Sequence, residues 1–164
     1  VFYEDKGVFL AHRRLSILDI SNSGAQPMRS SSGRYTISFN GEIYNFKEIR
    51  KYLDSQAFNI SWKGNSDTEV LLEAISLLGL KKTLRKCRGM FAFALWDHDT
   101  NILTIARDRI GQKPLYYGLL EGEVGFAFSS ELKTIAFPSN FKPSLPEIFA
   151  TAPSGARFPY KTTR

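Results

Sequence analysis

Cysteine, histidine and long apolar runs are scarce in this chain, and each scarcity removes a class of explanation. Among 164 residues there are one cysteine and two histidines. A lone Cys87 cannot form an internal disulfide, and no cluster of metal-ligating residues is visible, so neither a disulfide scaffold nor a metal site is expected. The longest uninterrupted apolar run, Met90 to Trp96, falls far short of the ~20 residues a membrane-spanning helix needs. With no signal-peptide pattern either, a reducing, cytoplasmic compartment is expected and a membrane partner is not. Familiar catalytic templates are missing too. There is no GxSxG elbow, HExxH pair, Walker A loop or GxGxxG fingerprint, so standard hydrolase and nucleotide-binding folds lose support.

What is present describes a globular domain. Hydrophobic residues make up 43% and aromatics 13%, too apolar for a disordered chain and enough to bury a core. Lys plus Arg outnumber Asp plus Glu by 22 − 16 = +6, which raises the question of a polyanionic partner. The charges are scattered, however. Lys81-Lys82, Arg85-Lys86 and Arg88 form the only local concentration, at near-helical spacing, and read as a solvated helix face; no nucleic-acid partner is expected.

Periodicity places strands at Gly7 to Leu15 and Tyr35 to Phe39, with Asn40-Gly41 ending the second. Asn45 with Glu48 resembles a capping pair ahead of Phe46, Ile49 and Leu53, so a helix is expected to about Asp54. Ser66 with Glu69 is a cleaner capping box. It precedes Val70, Leu71, Ala74, Ile75 and Leu78, and Gly79 is placed to stop that helix in a left-handed turn. Met90 to Trp96, Ile102 to Arg107, Leu115 to Leu119 and Val124 to Ser129 then read as an antiparallel meander. The first of these is apolar on both faces and should be covered on both. Ser130 is expected to cap a short helix through Ala136. Pro138, Pro143, Pro146, Pro153 and Pro159 fall in a stretch without sustained periodicity, read as a linker or tail over 138–164.

His12 lies in a predicted strand and His98 in a predicted turn, and neither reads as catalytic. Cys87, between Lys86 and Arg88, has either a depressed thiol pKa or the role of a half-buried small hydrophobe. The remaining polar residues sit at element ends. Arg14 after a strand offers a charged fork for a carboxylate, Asn40-Gly41 an amide beside a backbone N–H, and Asp67 a carboxylate at a helix start. Together they suit a zwitterionic amino acid with a reacting carbonyl; separately they are a surface ion pair, a turn and a helix-start acid.

Seven segments sharpen this choice. They are His12-Arg13-Arg14-Leu15-Ser16-Ile17-Leu18-Asp19; Gln26-Pro27-Met28; Phe39-Asn40-Gly41-Glu42-Ile43-Tyr44-Asn45; Ser66-Asp67-Thr68-Glu69; Gly89-Met90-Phe91-Ala92-Phe93-Ala94; Arg107 through Gly118; and Ser129-Ser130-Glu131-Leu132-Lys133. In this order they resemble the glutaminase domain, a class II glutamine amidotransferase, of glutamine-hydrolysing asparagine synthetases. The resemblance covers about residues 7 to 136, and Asn-Gly-Glu-Ile-Tyr-Asn is similar to the asparagine synthetase branch. It implies an α+β N-terminal-nucleophile hydrolase fold, an αββα sandwich truncated at its N-terminal end. The implied organisation is a glutaminase domain over 1–137 lacking its start, followed by the linker or tail.

Carried onto this sequence, the resemblance makes Arg14 the partner of the glutamine α-carboxylate and Leu15, Ser16, Ile17 and Leu18 the adjoining wall. It assigns Glu42 and Asp67 to the α-amino end, and the Asn40 amide with the Gly41 N–H to the oxyanion hole. The stretch Asp108 to Tyr117 is assigned a structural or domain-contact role. The implied reaction converts L-glutamine to glutamate and ammonia, passed to a synthetase domain of the same protein for ATP-dependent amidation of aspartate. No Ser-Gly-Gly-x-Asp-Ser loop occurs here, so no cofactor is expected on this chain, and ATP with Mg is expected only in that further domain.

The departure is at the nucleophile. The family's attacking group is a cysteine at position one with its own α-amine as base, whereas the first residue here is Val1. The expected reading is a fragment, inactive by itself. Alternatives are an amidotransferase acting on another carboxylate acceptor, and a non-catalytic, degenerate glutamine-binding module; a homodimer is one assembly left open. A domain opening at Gly7 without a preceding strand would expose a sheet edge. The isolated chain is therefore expected to associate in sedimentation velocity, and a sharp monomeric two-state melt would count against the fragment reading.

Overall fold

The computed structural model describes residues 2–13, 24–56, 58–120, 125–136 and 141–142. The chain divides into two compact units, Val1–Gln112 and Lys113–Arg164. In the first, strands β1 (Phe2–Asp5) and β2 (Val8–Ala11) form a hairpin, followed by β3 (Met28–Arg29), β4 (Tyr35–Ile43), helices α1 (Phe46–Ser55), α2 (Asp67–Leu78) and α3 (Leu80–Lys86), and strands β5 (Gly89–Asp97) and β6 (Ile102–Arg107). The second contains β7 (Tyr116–Leu120), β8 (Gly125–Ser129), α4 (Leu132–Ala136) and β9 (Phe141–Lys142).

The first unit is organised by one antiparallel sheet of order β3-β4-β5-β6. Alternation along β4 sends Ile37, Phe39 and Ile43 to the face that carries α1 and α2, where they pack with Phe91, Phe93 and Leu95 of β5 and with Ile49, Leu53, Val70 and Ile75 of the helices. The other face is covered by the hairpin. Trp96, fully buried there, donates Nε1–H to Asp5 Oδ2 at 3.1 Å, and Ser38 Oγ donates to the Ala11 carbonyl at 3.3 Å. His98 ties the same corner, with Nδ1 3.1 Å from Asp5 Oδ2 and Nε2 2.9 Å from Thr36 Oγ1. The hydrogen bond from Trp96, ahead of that from His98, holds the Asp5 carboxyl below its usual range. All residues from Phe91 to Trp96 are buried, as the doubly apolar sequence of this strand requires.

Several local expectations change. A strand does precede Gly7, β1 pairing antiparallel with β2, and the hairpin presents Phe2 and Phe9 to solvent at 75% and 64% exposure. β4 runs through Asn40-Gly41 to Ile43, because β5 keeps pairing with it as far as Gly89. Asn45 does not cap α1 with its side chain; its amide instead bridges the end of α3 to β5, donating to Lys86 O at 2.9 Å and accepting from Arg88 N at 2.8 Å. The meander is divided, since β5 pairs β6 in one sheet while β7 pairs β8 and β9 in another. Strand β9 falls inside the proline-rich stretch, and Ser129 rather than Ser130 accepts the Glu131 N–H before α4, at 3.1 Å.

The Ser66 cap forms as expected, its Oγ accepting Glu69 N–H at 3.1 Å. Glu69 does not return to Ser66. It reaches further back and accepts from Lys63 N and Gly64 N at 2.7 and 3.0 Å, fastening the approach to α2. Gly79 has φ 82° but ψ 152°, so it opens the chain into α3 rather than closing a left-handed turn.

Where β4 crosses β5 the backbones approach so closely that a Cβ on Gly41, at φ +150°, would lie 2.1 Å from Met90 O, and one on Gly89 would lie 2.1 Å from Glu42 O. No side-chain rotation relieves a clash with backbone. Gly41→Ala is expected to cost roughly 3 kcal/mol or more of stability, in the range of strained-backbone and overpacking substitutions; a chemical-denaturation midpoint indistinguishable from the parent would show that the ladder yields.

Candidate active site

The central feature is the edge of β4 beyond its short pairing with β3. That pairing ends at Met28 opposite Ile37, and the following N–H groups of β4 are taken by side chains. Phe39 N–H donates to Gln26 Oε1 at 2.6 Å, and Ile43 N–H to Asp67 Oδ2 at 2.8 Å. Successive N–H groups of an antiparallel strand face opposite edges. The Gly41 N–H therefore faces this same edge, between the Gln26 and Asp67 anchors.

Asn40 and Glu42 lie on the sheet face opposite α1 and α2, two residues and hence about 7 Å apart along the strand. Neither the Asn40 amide nor the Glu42 carboxylate has a hydrogen-bond or ion-pair partner among the described residues. Asp67 is buried at the first turn of α2. Burial pushes its carboxyl up from the ordinary value, opposed by hydrogen bonds from the N–H groups of Ile43 and Thr68 and reinforced by the charge of Glu42. The charges of these two carboxylates thus repel, and neither has an ion-pair partner among the described residues. An ammonium group placed between them would reverse the repulsion.

The structure brings Asn40, Gly41, Glu42 and Asp67 together on the β4 edge and the α2 N-terminus. Arg14, Leu15, Ser16, Ile17 and Leu18 lie outside the described residues. Gln26 is the participant that sequence reasoning left without a role. Buried at 8% exposure, it holds Phe39 through its carbonyl and Thr68 Oγ1 through its Nε2, at 3.4 Å, so one side chain sets the spacing between β4 and α2. The available signal was its place beside Pro27 in the segment Gln26-Pro27-Met28. His12 follows β2 and His98 is engaged in pinning the hairpin. No group of three or more metal-ligating side chains occurs among the described residues, and no described helix is long and apolar enough to cross a membrane.

Cys87 takes the second of its two readings, that of a small hydrophobe. It is 3% exposed, and burial pushes the thiol up to about 11 despite the countering charge of Arg109. The flanking Lys86 and Arg88 are drawn elsewhere, Lys86 over the Tyr52 ring at 4.0 Å and Arg88 to Glu48 at 2.6 Å. The small-hydrophobe reading holds.

Comparison with known proteins identifies the family. The glutamine amidotransferase domain family matches residues 1–150, and the chain belongs to that family. It is 40% identical over 139 residues to glutamine-hydrolyzing asparagine synthetase 1 of Bacillus subtilis strain 168, covering 85% of this chain and 21% of that protein. Against asparagine synthetase 3 of the same strain it is 39% identical over 154 residues, covering 90% and 24%. The chain thus spans less than a quarter of the length of these curated relatives. A solved structure, glutamine phosphoribosylpyrophosphate amidotransferase from B. subtilis complexed with ADP and GMP, superposes with a TM-score of 0.63 at 20% identity, covering 80% of this chain and 29% of that one. The mixed helices and sheets are those of the α+β N-terminal-nucleophile hydrolase fold.

The Cys87 environment makes a measurable statement. Its folded pKa lies above the ordinary value of 9.0, so its contribution to stability is complete below pH 9 and is lost as pH rises toward 11, by about 1.4 kcal/mol per unit. The stability difference between the parent and Cys87→Ala is expected to shift toward the variant over that interval. Iodoacetamide at pH 8 should label Cys87 only in denaturant; labelling of the folded chain would refute the burial argument.

Proposed function

We propose that this chain is the glutamine-hydrolysing part of an asparagine synthetase-type amidotransferase. In the intact protein it releases ammonia from L-glutamine, and a synthetase domain uses that ammonia for ATP- and Mg-dependent amidation of aspartate. The observation that carries the reading is the assembly, in a member of the amidotransferase family, of the Asn40 amide, the Gly41 N–H and the Glu42–Asp67 pair along one strand edge. Glu42 and Asp67 hold the substrate's α-ammonium, and Arg14 with the Leu15–Leu18 wall receives its α-carboxylate. The Asn40 amide and Gly41 N–H donate to the oxyanion as the tetrahedral intermediate forms.

The nucleophile in this reading is a cysteine at a chain start, whose α-amine serves as base. Val1 can supply neither thiol nor thiolate. A polypeptide of residues 1–164 alone therefore binds glutamine without turning it over, and no cofactor acts on it. The setting is cytoplasmic, and a homodimer is one assembly compatible with the reading.

Reading the coding sequence beyond both ends is the direct test, with Met-Cys-Gly expected upstream and a Ser-Gly-Gly-x-Asp-Ser loop downstream. In the intact protein, Asn40→Ala is expected to lower glutaminase kcat by on the order of a hundredfold with a smaller effect on KM, as loss of one oxyanion donor does. Ammonia released from glutamine by the pure 164-residue polypeptide, or an unchanged kcat in Asn40→Ala, would overturn the assignment.

A further inference from the structure

The basic segment of the sequence is solvent-exposed, as its near-helical spacing implies, but its cations are not equivalent. Lys86 is turned over Tyr52 and Arg88 is paired with Glu48, but Lys81 and Arg85, one turn apart on α3, line an open cleft of about 620 Å³ together with Arg109 from the turn after β6. None of these three cations has an ion-pair partner among the described residues. The turn that brings Arg109 to the cleft is firmly built. Asp108, buried beside it, accepts the N–H groups of Phe91, Ile110 and Gln112 at 3.2, 3.2 and 2.9 Å, and Arg107 donates to Gly111 O at 2.6 Å.

The cleft is not merely charged. Tyr44 and Ile110, 56% and 79% exposed, line it together with Leu84. A free phosphate would use the cations and leave these surfaces wet. Arginine and tyrosine around exposed aliphatic groups are the composition of protein-recognition surfaces, with charge setting approach and the apolar contacts supplying the anchor.

We propose that this cleft docks an acidic protein segment, one that places carboxylates against Lys81, Arg85 and Arg109 and an aliphatic side chain against Tyr44, Leu84 and Ile110. None of these residues belongs to the glutamine site, and the inference rests on the cleft alone.

The test uses the full chain and a fluorescein-labelled peptide of alternating glutamate and leucine, read by fluorescence anisotropy. Binding is expected to weaken at least tenfold in the triple variant Lys81→Glu, Arg85→Glu, Arg109→Glu, and about as much on raising salt from about 0.05 to 0.3 M. Ile110→Ser is expected to weaken it several-fold without changing the salt dependence. Should the reversed variant fail to fold by circular dichroism, the triple glutamine variant replaces it, with a severalfold loss expected. Failure of the peptide to bind, or binding indifferent to the charge substitutions, overturns the proposal. Inorganic polyphosphate binding more tightly than the peptide, together with indifference to Ile110→Ser, overturns it in favour of a phosphate site.

Discussion

Helix α2 is buried from Asp67 to Ile75, yet four of those residues are polar, and the first unit depends on how they are satisfied. An unpaired buried carboxylate is costly. Asp67 accepts from Ile43 N, Glu69 from Lys63 N and Gly64 N, Glu73 from Ser31 N and Oγ at 2.7 and 2.9 Å, and Thr68 meets Gln26. Each bond fastens the helix to a different segment: the β4 edge, the approach to α2, the turn before β4, and the chain before β3. A helix enclosed on all sides thus becomes the post to which the site's other supports are tied.

The same economy shapes the β4 edge. A strand edge exposes backbone donors that another strand would normally occupy. Here β3 covers only the beginning, and two side chains from elsewhere in the sequence take the N–H groups on either side of Gly41. What is left is a short gap in the edge, flanked by an amide on one side and two carboxylates on the other. Its rigidity comes from Gln26 and α2, and its close backbone approach from Gly41 and Gly89.

Charge is distributed by the same logic of tertiary placement. The doubly covered strand β5 sends Trp96 to pin the hairpin and Phe91 to the helical core, leaving its beginning near α3 and the turn after β6. Cations distant in sequence, from α3 and from that turn, converge there, while their sequence neighbours are drawn to Glu48 and Tyr52. Cys87, on the same wall, is packed away from water and stays protonated.

Much of this was legible in the residues. Alternation located β4 and the apolar strand β5, the Ser66–Glu69 spacing announced α2, and the ordered motifs pointed to the amidotransferase family with Asn40, Gly41, Glu42 and Asp67 as a set. These are short-range signals, carried by spacing along the chain. Local patterning could not reveal that β4 continues past Asn40-Gly41, that Asn45 and Glu69 serve neighbours other than their helix caps, or that the final strands belong to a different sheet from β5 and β6. Those outcomes depend on which partner stands across a ladder or beyond a turn. The role of Gln26 and the convergence of Lys81, Arg85 and Arg109 were settled only by folding, because both join residues whose proximity no sequence spacing encodes.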